Sequence, residues 1–413
     1  MKKTLLLATL VASVASFSTG TKGSVEAYNE NTYDVSKHSI NVDKVGVKTD
    51  VSVKGTGLSF GGKLEAKNLP SKSTTLTKSL LANSELFLQY KLPEIYNANS
   101  SVKATIKATN IKLEANANYK VDEALNVALH SDTTFNYASS NNYAETVISN
   151  QKLTVDAFKG VKGNTLKDVQ AYVGFKHSYA GNAFKRVTLG AKATYGVANV
   201  DLNGKYDFEY LVNDTIAATP GYKLLLAKKS EVDLEKLALN NGSYHHALEV
   251  TSSYKALENK LSLNGGLFVE HVHLASNNDV VNYGLGVKGS YKALENLSVN
   301  GGLVAGGNST LATAKTHKGL GALKLGAKYD YNVTNKFIVS PEFEASAFVY
   351  GNKSEVATGL ELTPKLSAKY TPVNNLTLTG SVSTPVKFGG TNKAFDYKNT
   401  ELKSSLNVKY TWE

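Results

Sequence analysis

The chain has 413 residues, 42% of them hydrophobic, a formal net charge of +11 and no cysteine. The missing thiols exclude a disulfide framework, a thiolate metal site and a cysteine nucleophile. No apolar run approaches the ~20 residues that a membrane-crossing helix requires, which excludes a helical membrane protein but not a strand-built one.

The first residues carry a secretory pattern. Lys2 and Lys3 form a charged start, Thr4 to Ala12 a short apolar stretch, and Ser13-Val14-Ala15 sets small residues at a cleavage site. Residues 1–20 therefore read as a signal peptide and 21–43 as a periplasmic or first-strand segment. The main body runs over 44–413.

From residue 44 onward apolar and polar side chains alternate in short runs: 45–53, 102–108, 111–119, 125–135, 169–179, 187–195 and 200–210. Side chains on a strand point alternately to its two faces, so each run has one apolar and one polar face. Pro70 to Asn83 reads as a long loop. The longest interruption is 212–242. There Ser230-Glu231-Val232-Asp233 has the form of a capping box and is followed by Leu234, Leu237 and Leu239. A long loop with one short helix is expected. It either folds inward as a constriction or projects outside, as most long barrel loops do.

The second half repeats itself. Tyr254-Lys-Ala-Leu-Glu-Asn259 recurs as Tyr291-Lys-Ala-Leu-Glu-Asn296, with looser copies at Tyr119, Tyr331 and Tyr370 and a last strand ending at Tyr410. The starts at 254, 291, 331, 370 and 410 are 37, 40, 39 and 40 residues apart. A period near forty fits a propeller blade, a helical solenoid pair or a barrel hairpin. The runs 323–331 and 360–370 hold strict two-residue alternation for about ten residues, the length of a tilted membrane strand, which selects the barrel. A tyrosine closes each descending strand before a short turn, so Tyr119, Tyr254, Tyr291, Tyr331, Tyr370, Tyr410 and Trp412 form a girdle. The segments 307–310, 351–354 and 389–392 have loop composition. Nineteen candidate strands lie beyond residue 44, and a bacterial barrel needs an even number. The expected fold is all-β, an antiparallel transmembrane β-barrel of about 18 strands, with 16–20 allowed.

Three local patterns resemble chemical sites. Gly284-Leu-Gly286-Val-Lys-Gly289 matches a dinucleotide fingerprint, yet it lies inside an alternating strand and opens no helix, as the motif requires. His271 and His273 share a strand face, but zinc needs three or four ligands and no third is in view. A solvated pair near a loop end is expected, and His245 and His246 point to opposite faces. No Gly-x-Ser-x-Gly motif marks a nucleophile, so no enzyme is expected, and no catalytic residue, metal or cofactor is assigned.

Lysine carries the functional signal. Lys103, Lys107, Lys192, Lys205, Lys288, Lys324, Lys328, Lys365, Lys369, Lys403 and Lys409 all fall on the polar face of a candidate strand. Lys112 and Arg186 do the same. A lipid-facing lysine at mid-bilayer costs ~2–4 kcal/mol, so these side chains belong in the lumen or at its rims. Asp50, Glu85, Glu114, Asp168, Asp201, Asp207, Glu209, Glu270 and Glu361 share that face. Either the opposite charges pair across a filled lumen, or a basic excess lines a water-filled pore and draws anions. The width of such a barrel favours the pore.

The last strand completes the pattern. Leu402, Ser404, Leu406, Val408, Tyr410 and Trp412 alternate with Lys403, Ser405, Asn407, Lys409 and Thr411. With the signal peptide, amphipathic strands and tyrosine-closed turns, the chain resembles the outer-membrane porin class of β-barrels. That resemblance implies an integral protein of a Gram-negative outer membrane, held in lipid. It also implies insertion by the outer-membrane assembly machinery, which reads a terminal strand such as this one. The usual final phenylalanine is absent; Trp412 is penultimate and Glu413 follows. Many porins form homo-oligomers, and the class calls for no nucleic acid. The function expected is passive diffusion of small hydrophilic solutes with a modest anion preference. The alternatives are a barrel-anchored surface adhesin or binding protein, and a soluble secreted all-β protein.

Overall fold

The computed structural model describes residues 20–70, 83–137, 144–158, 165–179, 183–212, 216–218, 237–239, 242–274, 278–311, 315–352, 354–392 and 395–412. The expected signal peptide and most of 212–242 and of the 70–83 loop lie outside these residues.

Twenty antiparallel staves close into one barrel. Thr21–Asp34 pairs with Ser39–Val53 on one side and with the C-terminal strand Asp396–Trp412 on the other, so the two chain ends form the seam. Between them each stave pairs with the next in sequence. Closure gives each stave a paired neighbour on both sides, so the sheet has no free edge strand.

Two staves are broken. Thr316–Tyr329 resumes as Tyr331–Thr334 across Asp330. Leu376–Ser383 resumes as Val386–Thr391 across Thr384-Pro385, where proline has no N–H to give to the ladder. The flanking bonds bridge the gap: Thr384 N–H reaches the Pro364 carbonyl at 3.0 Å and Glu401 N–H reaches Pro385 at 3.1 Å.

Twenty staves, against about 18 expected, is within the allowed range. The stave missing from the nineteen candidates is Thr21–Asp34. Glycine and asparagine content also misled at two strand ends. Residues 307–310 and 389–391, expected as loops, complete the strands Leu297–Thr310 and Val386–Thr391. Gly307 faces Tyr283 in the ladder there, and its missing side chain makes room for the ring. After Gly351, which ends the strand Phe337–Gly351, the Asn352 side chain accepts the Ser354 and Glu355 N–H groups at 2.9 and 2.8 Å, as a loop there requires. In the 212–242 segment, Leu237–Leu239 is not part of a helix. It is a strand paired with Ile216–Ala218, and the proposed cap at 230–233 falls outside the described residues.

The two near-identical repeats turn differently. In the first, Lys260 lengthens the turn by one residue, and Leu257, Glu258 and Asn259 all take left-handed backbone, φ 51°, 53° and 67°. In the second, Leu294 and Leu297 exchange backbone bonds at 3.3 Å, with no left-handed residue between them. One inserted residue thus changes the turn while the flanking tyrosines keep their place.

The apolar residues face outward. Leu86, Leu88, Leu267, Val269, Leu285, Val287, Leu303, Leu323, Leu325 and Leu406 are all exposed, Leu285 at 61% and Leu86 at 60%. So many large apolar side chains exposed on one face are incompatible with aqueous surroundings. Lipid is its solvent, and the soluble alternative is set aside. The architecture is that of an integral outer-membrane barrel.

Candidate functional site

The other wall face is concave and charged. Its side chains reach over an intervening stave. The Tyr28 hydroxyl on the first stave donates to Glu65 on the third at 2.7 Å, and Tyr172 donates to Asp207 two staves away. Contacts that skip a stave form on the inside of a curve, which identifies this face as the lumen.

All eleven predicted lysines lie on it. Cross-strand partners share a face, and register links Lys288 through Gly302, Lys324, Ser346, Glu361 and Lys387 in one transverse row. Seven of the eleven are ion-paired. Lys107 meets Glu85 at 3.2 Å, Lys192 meets Asp168 at 2.5 Å, and Lys205 meets Asp207. Lys324 meets Glu344 at 2.7 Å and Lys328 meets Asp330 at 2.8 Å. Lys365 meets Glu342 at 3.1 Å and Lys403 meets Glu401 at 3.0 Å. Lys103 sits 4.9 Å above the Phe87 ring. Lys288, Lys369 and Lys409 have no carboxylate within 4 Å among the described residues. Two further cations placed on this face from the sequence are also paired, Arg186 with Glu209 and Lys112 with Glu114 at 2.9 Å.

Sequence reasoning missed part of this wall. Glu65, Asp132, Glu342, Glu344 and Glu401 are partners of the cations, and each falls on its strand's polar parity. Inward aromatics were invisible to a rule that sends apolar residues outward. Tyr172 lies flat over Gly190, where a Cβ would come within 2.3 Å of its ring, and Lys152 Nζ stands 3.7 Å from the ring centroid. An apolar patch on the inner wall, toward the long-loop ends, buries Phe268, Val304 and Leu320 against Ala322, Phe348 and Tyr350. Beside it runs a polar row in which Asn308 donates to Asn282 at 2.5 Å and Asn282 to Glu270 at 2.9 Å.

Tyr119, Tyr254, Tyr291, Tyr331 and Tyr370 all stand exposed on the outer face at the short-turn end. Phe337 meets Tyr370 edge-on at 6.1 Å. Tyr410 stacks on Trp412 at 6.3 Å, and the indole N–H donates to Thr21 Oγ1 at 3.3 Å across the seam.

His271 and His273 are on the outer face, not in the lumen. Both reach Asp279, at 3.3 and 2.6 Å, and His246 stacks on His271 at 5.7 Å. With Phe208, Tyr244, Tyr283 and His317 they form a second aromatic rim at the long-loop end. No group of three metal-ligating side chains occurs among the described residues. His245 turns inward to Glu209 at 3.4 Å. Gly284, Gly286 and Gly289 all lie within the strand Asn278–Lys292, so the dinucleotide pattern has no helix to serve.

Recesses mark the wall among the described residues, and three of them bear on function. One, of about 460 Å³, is an outer apolar groove between Tyr291, Val299, Leu325 and Phe343, floored by Gly289 and Gly301. The other two are luminal. Asn264, Lys288, Asn300 and Lys324 line one of about 290 Å³. Lys328, Glu342, Lys365 and Lys369, with serines and a threonine, line one of about 620 Å³.

An apolar exterior, aromatic rims and a hydrated, charged interior define a transmembrane barrel of the outer-membrane type. No protein-family model matches the chain, and no curated protein matches it either. Among solved structures it is similar to OccK3 (OpdO) of Pseudomonas aeruginosa, with a TM-score of 0.48 and 11% identity over 96% of this chain and 97% of that one. It is also similar to the outer membrane channel DcaP of Acinetobacter baumannii, with a TM-score of 0.39 and 12% identity over 95% and 96%. The anion-selective porin from Comamonas acidovorans gives a TM-score of 0.38 and 10% identity over 95% and 98%.

Proposed function

We propose that the protein is a diffusion channel for small hydrophilic solutes with a modest preference for anions. The observation that carries this reading is the pairing pattern of the predicted lysines on the inner wall. Seven of its eleven predicted lysines are neutralised by carboxylates, while Lys288, Lys369 and Lys409 are not. Paired charges leave a polar, hydrated wall with little net field. The unpaired ammoniums add a positive potential along it, and rings of lysine favour anion passage. Width supports the same reading, since barrels of about 16–18 strands already leave an aqueous channel.

The preference is modest for a physical reason. A wide aqueous lumen screens a charge within about 8 Å at physiological salt. Solutes near the axis feel the wall weakly, so size and hydration filter first and sign second. Purified protein in planar bilayers tests this. Stepwise conductance with a reversal potential favouring chloride is expected. Folded protein giving no steps refutes the channel, and a reversal potential favouring potassium refutes the anion preference.

A further inference from the structure

We propose that the luminal recess around Lys369 is a binding site for a polyhydroxylated monoanion, the chemistry of a sugar acid. The inference rests on the channel reading for access, and it assigns to one place on the wall a selectivity that the overall charge does not supply.

The recess spans five staves and holds about 620 Å³. Three ammoniums and two carboxylates line it: Lys328, Lys365 and Lys369 against Asp330 and Glu342. Two of the cations are already satisfied, Lys365 by Glu342 at 3.1 Å and Lys328 by Asp330 at 2.8 Å. Lys369 has no carboxylate within 4 Å among the described residues and is exposed to the lumen. The local charge is therefore 3 − 2 = +1 and is concentrated at one ammonium. A monoanion matches that balance. A dianion would meet the two carboxylates as well as the lysine.

The remainder of the lining is hydroxyl-rich. Ser340 donates to Asp330 at 2.5 Å, and Ser381 and Ser405 bond one another at 2.8 Å. The hydroxyls of Ser367 and Thr379 carry no hydrogen bond among the described residues. Each can donate one bond and accept others. Glu342 and Asp330 keep acceptor capacity beyond their lysines, since an ionised carboxylate offers about four lone-pair sites. A ligand bearing one carboxylate and several hydroxyls satisfies all of these, with its anion on Lys369 and its hydroxyls on the serines and acids. Ile338, inward and opposite Lys369 in the ladder, supplies an apolar surface for the C–H face of a sugar ring. A halide would use only the lysine, and a neutral sugar only the hydroxyls.

The test is isothermal titration calorimetry on the full-length protein folded in detergent, with glucuronate, glucose and acetate as probes. This reads binding without requiring conduction, so a failed channel and a failed site are distinguishable. Saturable one-to-one binding of glucuronate is expected, with glucose and acetate at least about tenfold weaker, a factor equivalent to ~1.4 kcal/mol. Lys369→Ala should weaken glucuronate about tenfold or more, and Lys369→Arg should restore it to within about threefold. Circular dichroism establishes that both variants keep the barrel. Equal affinity for glucuronate and glucose, no glucuronate binding, or unchanged binding in Lys369→Ala overturns the proposal. If planar bilayers show chloride conductance while calorimetry shows no glucuronate binding, the channel stands and the site falls.

Discussion

Gly190 and Tyr172 offer a sharp test of how the inner wall is built. A methyl group at position 190 would lie 2.3 Å from two carbons of the Tyr172 ring and 2.6 Å from its hydroxyl. Ordinary contact begins about 1 Å further out, so Gly190→Ala cannot leave the ring in place. The ring is held from two sides, by the hydroxyl bond to Asp207 and by Lys152 above its face. Swinging it away forfeits a hydrogen bond to a charged acceptor, ~1.5–3 kcal/mol. It also forfeits a cation–π contact worth ~0.5–1 kcal/mol. Gly190→Ala should therefore destabilise the barrel by ~2–4 kcal/mol. Denaturant unfolding in detergent, followed by circular dichroism, measures the loss. In a Tyr172→Ala background the same alanine should cost less than ~0.5 kcal/mol, because distant or unlinked changes add within that margin and here the partner is gone. Equal cost in both backgrounds refutes the contact, and so does a Gly190→Ala protein as stable as the parent.

Other perturbations follow from the two wall faces. Leu285→Arg places a charge on the lipid face and should cost ~2–4 kcal/mol in vesicle-folding titrations if the residue sits at mid-bilayer depth; near-neutral behaviour would contradict the outward assignment. Trp412→Ala removes the stack on Tyr410 and the bond to Thr21 across the seam, and should lower stability by ~2 kcal/mol in thermal melts. Lys324→Glu sets a carboxylate beside Glu344 and next to Lys288 in the same transverse row. It should shift the reversal potential measurably toward cations without abolishing conductance.

The wall's two-faced character was legible because lipid and water demand it residue by residue. Leu285 and Val287 could not share a face with Lys288. The tyrosine-closed turns were legible for the same reason, each at a fixed distance from the last. The first stave was legible only as one of two readings of 21–43. Its outward positions include Asn29 and Asn31 beside Val25 and Ala27, so alternation fails although backbone pairing to Asp396–Trp412 holds it. The inward aromatics broke the rule from the other side. Phe87, Tyr172 and Phe268 look lipid-facing by composition, and only the glycine opposite each of them, Gly61, Gly190 and Gly284, hints otherwise. Parity alone placed the lysines, but which of them find carboxylates depends on register between staves. Lys365 meets Glu342, while Lys369, two pleat repeats further on, meets none among the described residues. The recess around it had no signature in any single segment, because five staves contribute to it.

The most direct test of the channel is the reversal potential of single channels under a salt gradient across a planar bilayer. Protein purified without any partner should insert and conduct in discrete steps, with a reversal potential displaced modestly toward that of chloride. The displacement should shrink when Lys288, Lys369 and Lys409 are replaced together by glutamine, because these are the predicted lysines with neither a carboxylate nor an aromatic ring beside them among the described residues. Folded, inserted protein that passes no current would contradict the channel, and a displacement unchanged by the triple replacement would contradict the origin assigned to its selectivity.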